Sequence, residues 1–220
     1  MHITGKKYFI PAATTCLAII LISYLLNTES NREAFDEFMT GLLGKTNKWS
    51  NTYGSEEFVN SNKDISALGG QTLIGIFSIL IYIGLNYVKK QYKIIEIFIP
   101  LLGAGIFLMI LKAILSDDDK NFYDIITLNL HGFPSGHAFA SAIFYFISVN
   151  VLFRHSSERV RYFLTVSVII ITVVIGISRI LSAAHTPMDV AGGWAAGILW
   201  LLIYYRFLEM KVKKISKPNT

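Results

Sequence analysis

The sequence predicts an all-α, polytopic membrane protein with six transmembrane helices and both termini in the cytoplasm. Three observations lead there. Of its 220 residues, 53% are hydrophobic and only 16% charged, where an ordinary soluble domain carries roughly 25% charged residues. The mean hydropathy is +0.49. Six stretches approach the about 20 mostly apolar residues that a spanning helix needs: 8–26, 67–88, 94–115, 134–153, 162–181 and 188–207. One membrane domain, 1–220, accounts for the length.

Orientation follows from Lys and Arg. Six spans put both termini on one side, with "KKQYK" (89–93) and "RHSSERVR" (154–161). That side holds thirteen of the twenty basic residues and three of the fifteen acidic ones. The positive-inside rule makes it cytoplasmic. The net charge of +5 therefore reflects topology, and its scatter over short inner loops excludes a nucleic-acid footprint.

The first span, 8–26, is a retained anchor, because "LISYLLNTES" offers no small-x-small cleavage site. The one cysteine, Cys16, lies inside it as a packing residue, so there is no disulfide framework and no cysteine-based metal site. The outer loop 27–66 follows. In "NREAFDEFMTGLLGK", Phe35, Phe38, Met39, Leu42 and Leu43 share one helical face. That predicts a short helix, either on the outer membrane surface or packed on the bundle, bordering an access route for a lipid. Gly69 and Gly70, near the start of the second span, permit close packing.

Polar residues at membrane depth are costly and point to function. They occur in four places: Lys112 near the outer end of the third span, "PSGH" (134–137) opening the fourth, Ser178–Arg179 ending the fifth, and His185 with Asp189 at the sixth. Helix counting alone puts all four on the outer side. Pro134 suits the first helical position, and the following N–H groups lack intrahelical partners and attract anions. Gly136 lets an anion approach the backbone. Ser135 adds a hydroxyl, and His137 exchanges a proton near neutral pH. Equally, the stretch reads as a helix start with an interfacial His. In "SRILSAAHTPMD", Thr186 and Pro187 read as N-cap and first helical residue. Asp189 then either closes a capping box with Thr186 or accepts an N–H from His185, leaving the other ring nitrogen to attack. The Arg179 fork suits phosphate, or the side chain snorkels to head groups.

"PSGH" followed by "SRILSAAHTPMD" resembles the second and third signatures of the type 2 phosphatidic acid phosphatase superfamily. Ser178, Arg179, His185 and Asp189 match the third without a spacing error, and the likeness covers about 67–208. It implies a hydrolase of lipid phosphomonoesters or diphosphates, working through phosphohistidine with no metal and no cofactor. His185 would be the nucleophile, Asp189 its orienting partner and His137 the acid for the leaving lipid oxygen. Arg179, Ser135, the Gly136 backbone and Lys112 would hold the phosphoryl oxygens. Cationic groups in place of Mg²⁺ fit transition-state charge stabilisation.

The family's first signature reads Lys, six residues, Arg-Pro. Here "KAILSDDDK" puts Asp119 at the Arg position and Lys120 at the Pro position. A carboxylate about 4 Å from a phosphate costs roughly 4 kcal/mol at an effective dielectric near 20. Three readings follow: Lys120 replaces the Arg as a phosphate ligand, residues 117–119 meet a cation, or the protein binds lipid phosphates without turnover. The runner-up activity is phosphotransfer to another lipid. A channel or transporter is disfavoured, since the ionisable residues gather at one face. The expected setting is a bacterial plasma (inner) membrane, with the site facing the periplasm or exterior. The expected partners are the bilayer and a membrane lipid phosphate; the sequence leaves the particular lipid and the oligomeric state open.

Overall fold

The computed structural model describes residues 6–46, 52–115 and 132–215. Among them run eight helices: α1 (Lys6–Leu26), α2 (Glu29–Leu43), α3 (Glu56–Ala67), α4 (Gln71–Tyr87), α5 (Gln91–Leu115), α6 (Gly136–Leu152), α7 (Glu158–Leu181) and α8 (Pro187–Ile215). Five stretches are long and apolar enough to cross a membrane: Tyr8–Leu26, Glu56–Tyr87, Tyr92–Leu115, Glu158–Leu181 and Pro187–Met210. Gly136–Leu152 is a shorter apolar helix of 17 residues. The chain is a polytopic membrane protein.

The α6 and α8 helices form the centre. Helix α6 buries Phe139, Ile143, Ile147 and Val151, spaced four residues apart along one face. It packs against α5, α7 and α8, and α1 lies along α8. The other surface is apolar too. On α5, Ile95, Ile99, Leu102, Ile106, Ile110 and Ile114 are all more than half exposed and repeat every three or four residues. Such a stripe would drive aggregation in water and suits hydrocarbon, where only backbone groups must be satisfied internally. Pro100, inside α5, lacks the N–H that would bond the Glu96 carbonyl. Tyr204 Oη donates to that carbonyl at 3.3 Å, and Trp200 Nε1 donates to the Pro100 carbonyl at 3.0 Å. Helix α8 thus supplies a donor to the carbonyl that the proline orphans and a further one to the proline's own carbonyl.

At the end of the bundle away from the signature residues, Lys93 Nζ donates to the Leu152 carbonyl at 3.2 Å, closing the end of α6. Arg154 and Glu96 form a two-armed ion pair beside it. Cys16 is buried in the core cluster.

Two features differ from the sequence reading. The loop 27–66 holds two helices, α2 and α3. Ser55 caps α3 by accepting from Phe58 N–H at 3.2 Å, and α3 lays Val59, Asn62 and Ser66 inward, against α7. The chain breaks at 68–70 before α4 begins at Gln71. Second, Pro134 precedes α6 instead of opening it. Ser135 is the N-cap, its Oγ accepting from Ala138 N–H at 3.5 Å, because a hydroxyl satisfies an orphan amide that proline cannot. On α2, Met39 is buried while Phe38 and Leu42 are 63% and 65% exposed, so its apolar residues divide between buried and exposed positions.

Candidate active site

The signature residues lie where helices begin or end. Ser135 caps α6, and the next two residues are Gly136 and His137. Arg179 sits in the last turn of α7. Ala183 then takes a positive φ of 53°, the left-handed turn that commonly ends a helix. The N–H groups of Ala184 and His185 both donate to the Arg179 carbonyl, at 3.1 and 3.2 Å. His185 is thereby folded back onto the end of α7. Thr186 and Pro187 open α8, and Asp189 is the third helical residue.

Backbone contact joins the two segments. Ser135 N–H donates to the Asp189 carbonyl at 2.9 Å. Gly193, one turn further along α8, makes this approach feasible: a Cβ there would lie 2.6 Å from the Ser135 carbonyl oxygen.

Asp189 is 4% exposed, and its carboxylate is engaged at both oxygens. Oδ2 accepts from Thr186 N–H at 2.9 Å, and Thr186 Oγ1 accepts from Asp189 N–H at 3.1 Å. This is a reciprocal capping box. The same Oδ2 lies 3.5 Å from His185 Nδ1, longer than an ordinary hydrogen bond. Oδ1 accepts from Asn27 Nδ2 at 2.9 Å. The capping reading of Asp189 is thus realised, while His185 Nδ1 lies close to the carboxylate without a hydrogen-bond partner. His185 is 8% exposed. Burial pushes its pKa below the usual 6.5, the Asp189 carboxylate pulls it back up, and the Arg179 and Lys112 charges push it down.

Two cations, Lys112 buried and Arg179 partly buried, lie in the same region. Lys112, 1% exposed in the last turn of α5, donates to the Gly132 carbonyl at 3.3 Å. Arg179 Nη1 donates to Ser66 Oγ at 3.0 Å, and its Nε is buried without a hydrogen-bond partner. The charges of Arg179 and Lys112 act on both His137 and His185. His137 rests against the α3–α4 break, where a Cβ on Gly70 would be 3.5 Å from its Nε2. Two imidazoles, two cations and the orphan amides of a helix start make a donor set suited to an anion. Among the described residues, no three His, Cys, Asp or Glu side chains group as a metal site.

Of the predicted residues, Lys112, Ser135, Gly136, His137, Arg179, His185 and Asp189 occupy this one end of the bundle. Lys120, with 117–119, lies outside the described residues. Asn27 and Ser66 were not anticipated. The only signals were a polar residue closing the first span and a serine just ahead of Gly69–Gly70.

Comparison with known proteins agrees. The profile of the PAP2 superfamily matches residues 101–213. The chain is 24% identical over 155 residues to phosphatidylglycerophosphatase B of Bacillus subtilis, covering 70% of this chain and 76% of that protein. It is 33% identical over 88 residues to a PA-phosphatase related-family protein of Dictyostelium discoideum, covering 37% of this chain and 24% of that one. In fold it is similar to the crystal structure of a transmembrane PAP2-type phosphatidylglycerolphosphate phosphatase from Bacillus subtilis. That match has a TM-score of 0.66 at 18% identity, covering 94% of this chain and 98% of the other. With the profile spanning half its length and the signature residues gathered at one end of the bundle, the chain belongs to the PAP2 superfamily, and it is a lipid phosphatase of that family.

Proposed function

We propose that the protein hydrolyses a membrane lipid phosphate, without a metal, through a phosphohistidine at His185. The observation that carries this is the hydrogen bond from Ser135 N–H to the Asp189 carbonyl. It brings the cap of α6, with His137 behind it, against the helix that presents Asp189 to His185.

With Nδ1 toward Asp189, Nε2 of the neutral imidazole attacks phosphorus. The phosphorus–oxygen bond to the lipid breaks, and His137 gives its proton to the departing oxygen. Water then attacks the phosphohistidine, His137 takes a proton from it, and inorganic phosphate leaves. Arg179, Lys112, Lys120, the Ser135 hydroxyl and the Gly136 N–H hold the phosphoryl oxygens as charge builds. The names of the Bacillus relatives support a glycerophospholipid monophosphate as the substrate class.

The Lys and Arg distribution supports cytoplasmic termini and a site on the outer face of a bacterial plasma membrane. Phe38 and Leu42, exposed on α2, suit the head-group boundary beside the site.

The test is phosphate release from a labelled lipid monophosphate by purified protein in micelles with chelator present. Release should persist, and quenching at alkaline pH should trap a labelled, acid-labile phosphoenzyme. His185→Ala should lose both. A His185→Ala protein that still labels, or activity that vanishes with chelator and returns with Mg²⁺, would overturn the proposal.

A further inference from the structure

Asn27 follows directly after α1, where the chain turns toward α2. Its N–H closes the helix end by donating to the Tyr24 carbonyl at 3.1 Å. Its side chain is buried, the residue being 8% exposed, and it reaches the first turn of α8. Nδ2 donates to Asp189 Oδ1 at 2.9 Å. Oδ1 accepts from Thr186 Oγ1 at 3.1 Å and from Arg32 Nε at 3.2 Å.

The chemistry of the partners fixes which way this amide points. An ionised carboxylate only accepts and a guanidinium only donates, so Nδ2 must face Asp189 and Oδ1 must face Arg32. The Thr186 hydroxyl already accepts from Asp189 N–H, which leaves its proton for Asn27. Every bond in the set has a single consistent direction.

We propose that Asn27 is a positioning residue for the phosphatase reaction, holding the Asp189 carboxylate in the plane that turns Oδ2 toward His185, with Arg32 clamping the Asn27 amide. This rests on the reading of His185 as nucleophile and Asp189 as its partner. The capping bond from Thr186 N–H fixes one carboxylate oxygen. The terminal torsion of Asp is broad, so one bond leaves the carboxylate free to pivot about that oxygen. The bond from Asn27 to the second oxygen removes the pivot. A residue just after α1, a helix that carries none of the signatures, thereby sets the orientation of a signature side chain. Through Arg32, the position of α2 bears on it as well.

The experiment uses full-length protein in micelles with a labelled lipid monophosphate, and each variant's unfolding temperature is recorded. Asn27→Ala should lower kcat about tenfold, as removal of an orienting partner does, with KM within about twofold of wild type. Asn27→Asp keeps the volume but sets a second carboxylate against Asp189, and should fall below Asn27→Ala. A space-filling role would reverse that order. Arg32→Ala, at an exposed position, should fold normally and lose about threefold in kcat, the scale of one hydrogen bond. Wild-type kcat in folded Asn27→Ala or Arg32→Ala protein, or an Asn27→Asp enzyme better than Asn27→Ala, overturns the inference. His185→Ala and Asp189→Ala run alongside. If they are inactive while the Asn27 variants behave as wild type, only this inference falls; if His185→Ala stays active, the reading of the site falls with it.

Discussion

Gly193 holds the two signature segments at their working distance, and Gly193→Ala tests how much that distance matters. The added Cβ would lie 2.6 Å from the Ser135 carbonyl oxygen, 3.0 Å from Ala138 Cβ and 3.4 Å from Phe139 N. Two of these are backbone atoms and the third is fixed to backbone, so no rotamer change relieves the contact. Ordinary contact begins at 3.4 Å, so α6 and α8 must part by about 0.8 Å here. The bond from Ser135 N–H to the Asp189 carbonyl, 2.9 Å long, stretches beyond useful length if the separation runs along it. Overpacking of this kind costs about 1–3 kcal/mol, and misplacing reacting groups by about 1 Å can cost about 100-fold in rate. The expected result is a 30- to 100-fold fall in kcat/KM on that scale, about two orders at most, with a lowered unfolding temperature. Gly75→Ala is the control, since nothing lies within 4 Å of a Cβ there; it should leave activity unchanged. A Gly193→Ala enzyme within about threefold of wild-type kcat/KM would refute the claim that close α6–α8 approach assembles the site, being under 1 kcal/mol.

Two further outcomes are expected. Ser66→Ala removes the 3.0 Å acceptor of Arg179 Nη1, and a bond to a charged group contributes about 1.5–3 kcal/mol. Phosphatase kcat/KM should drop about tenfold, and an unchanged value would remove Ser66 from the site. His185, its pKa depressed below the usual 6.5 by burial, stays neutral as pH falls through that value, whereas the unfolded chain takes up the proton. Folding stability contributed at this residue is therefore lost on acidification below 6.5. A labelled-imidazole NMR titration, assigned with His185→Gln, should give a midpoint below 6.5, and one at or above 6.5 contradicts the burial argument.

Long apolar runs made the spanning helices readable, because hydrocarbon permits little else. Helix α3 is a different case. "EEFVNSNKDISA" is polar in composition and shows its purpose only by facing Val59, Asn62 and Ser66 inward, against α7. A three-residue face inside a polar loop carries too little periodicity to separate from coil. The start of α6 was legible to within two residues; proline preference pointed to Pro134, and the Ser135 hydroxyl decided the cap.

The site divides in the same way. Lys112, Arg179, His185 and Asp189 stand out in sequence because an ionisable group at membrane depth demands compensation. Asn27 and Ser66 are neutral, and at a helix boundary a neutral polar residue raises no such demand. Their importance arises from the charges they meet: Asn27 faces a carboxylate on one side and a guanidinium on the other, and Ser66 faces Arg179. Burial then makes the bond to Asp189 costly to lose, since water cannot readily replace it. The charged residues announce that a site exists, but which way Asp189 and Arg179 point depends on uncharged partners, one just after α1 and one on α3. Those partners are brought in by packing that sequence periodicity does not record, so removing Asn27 or Ser66 should disturb the chemistry more than their unremarkable sequence positions suggest.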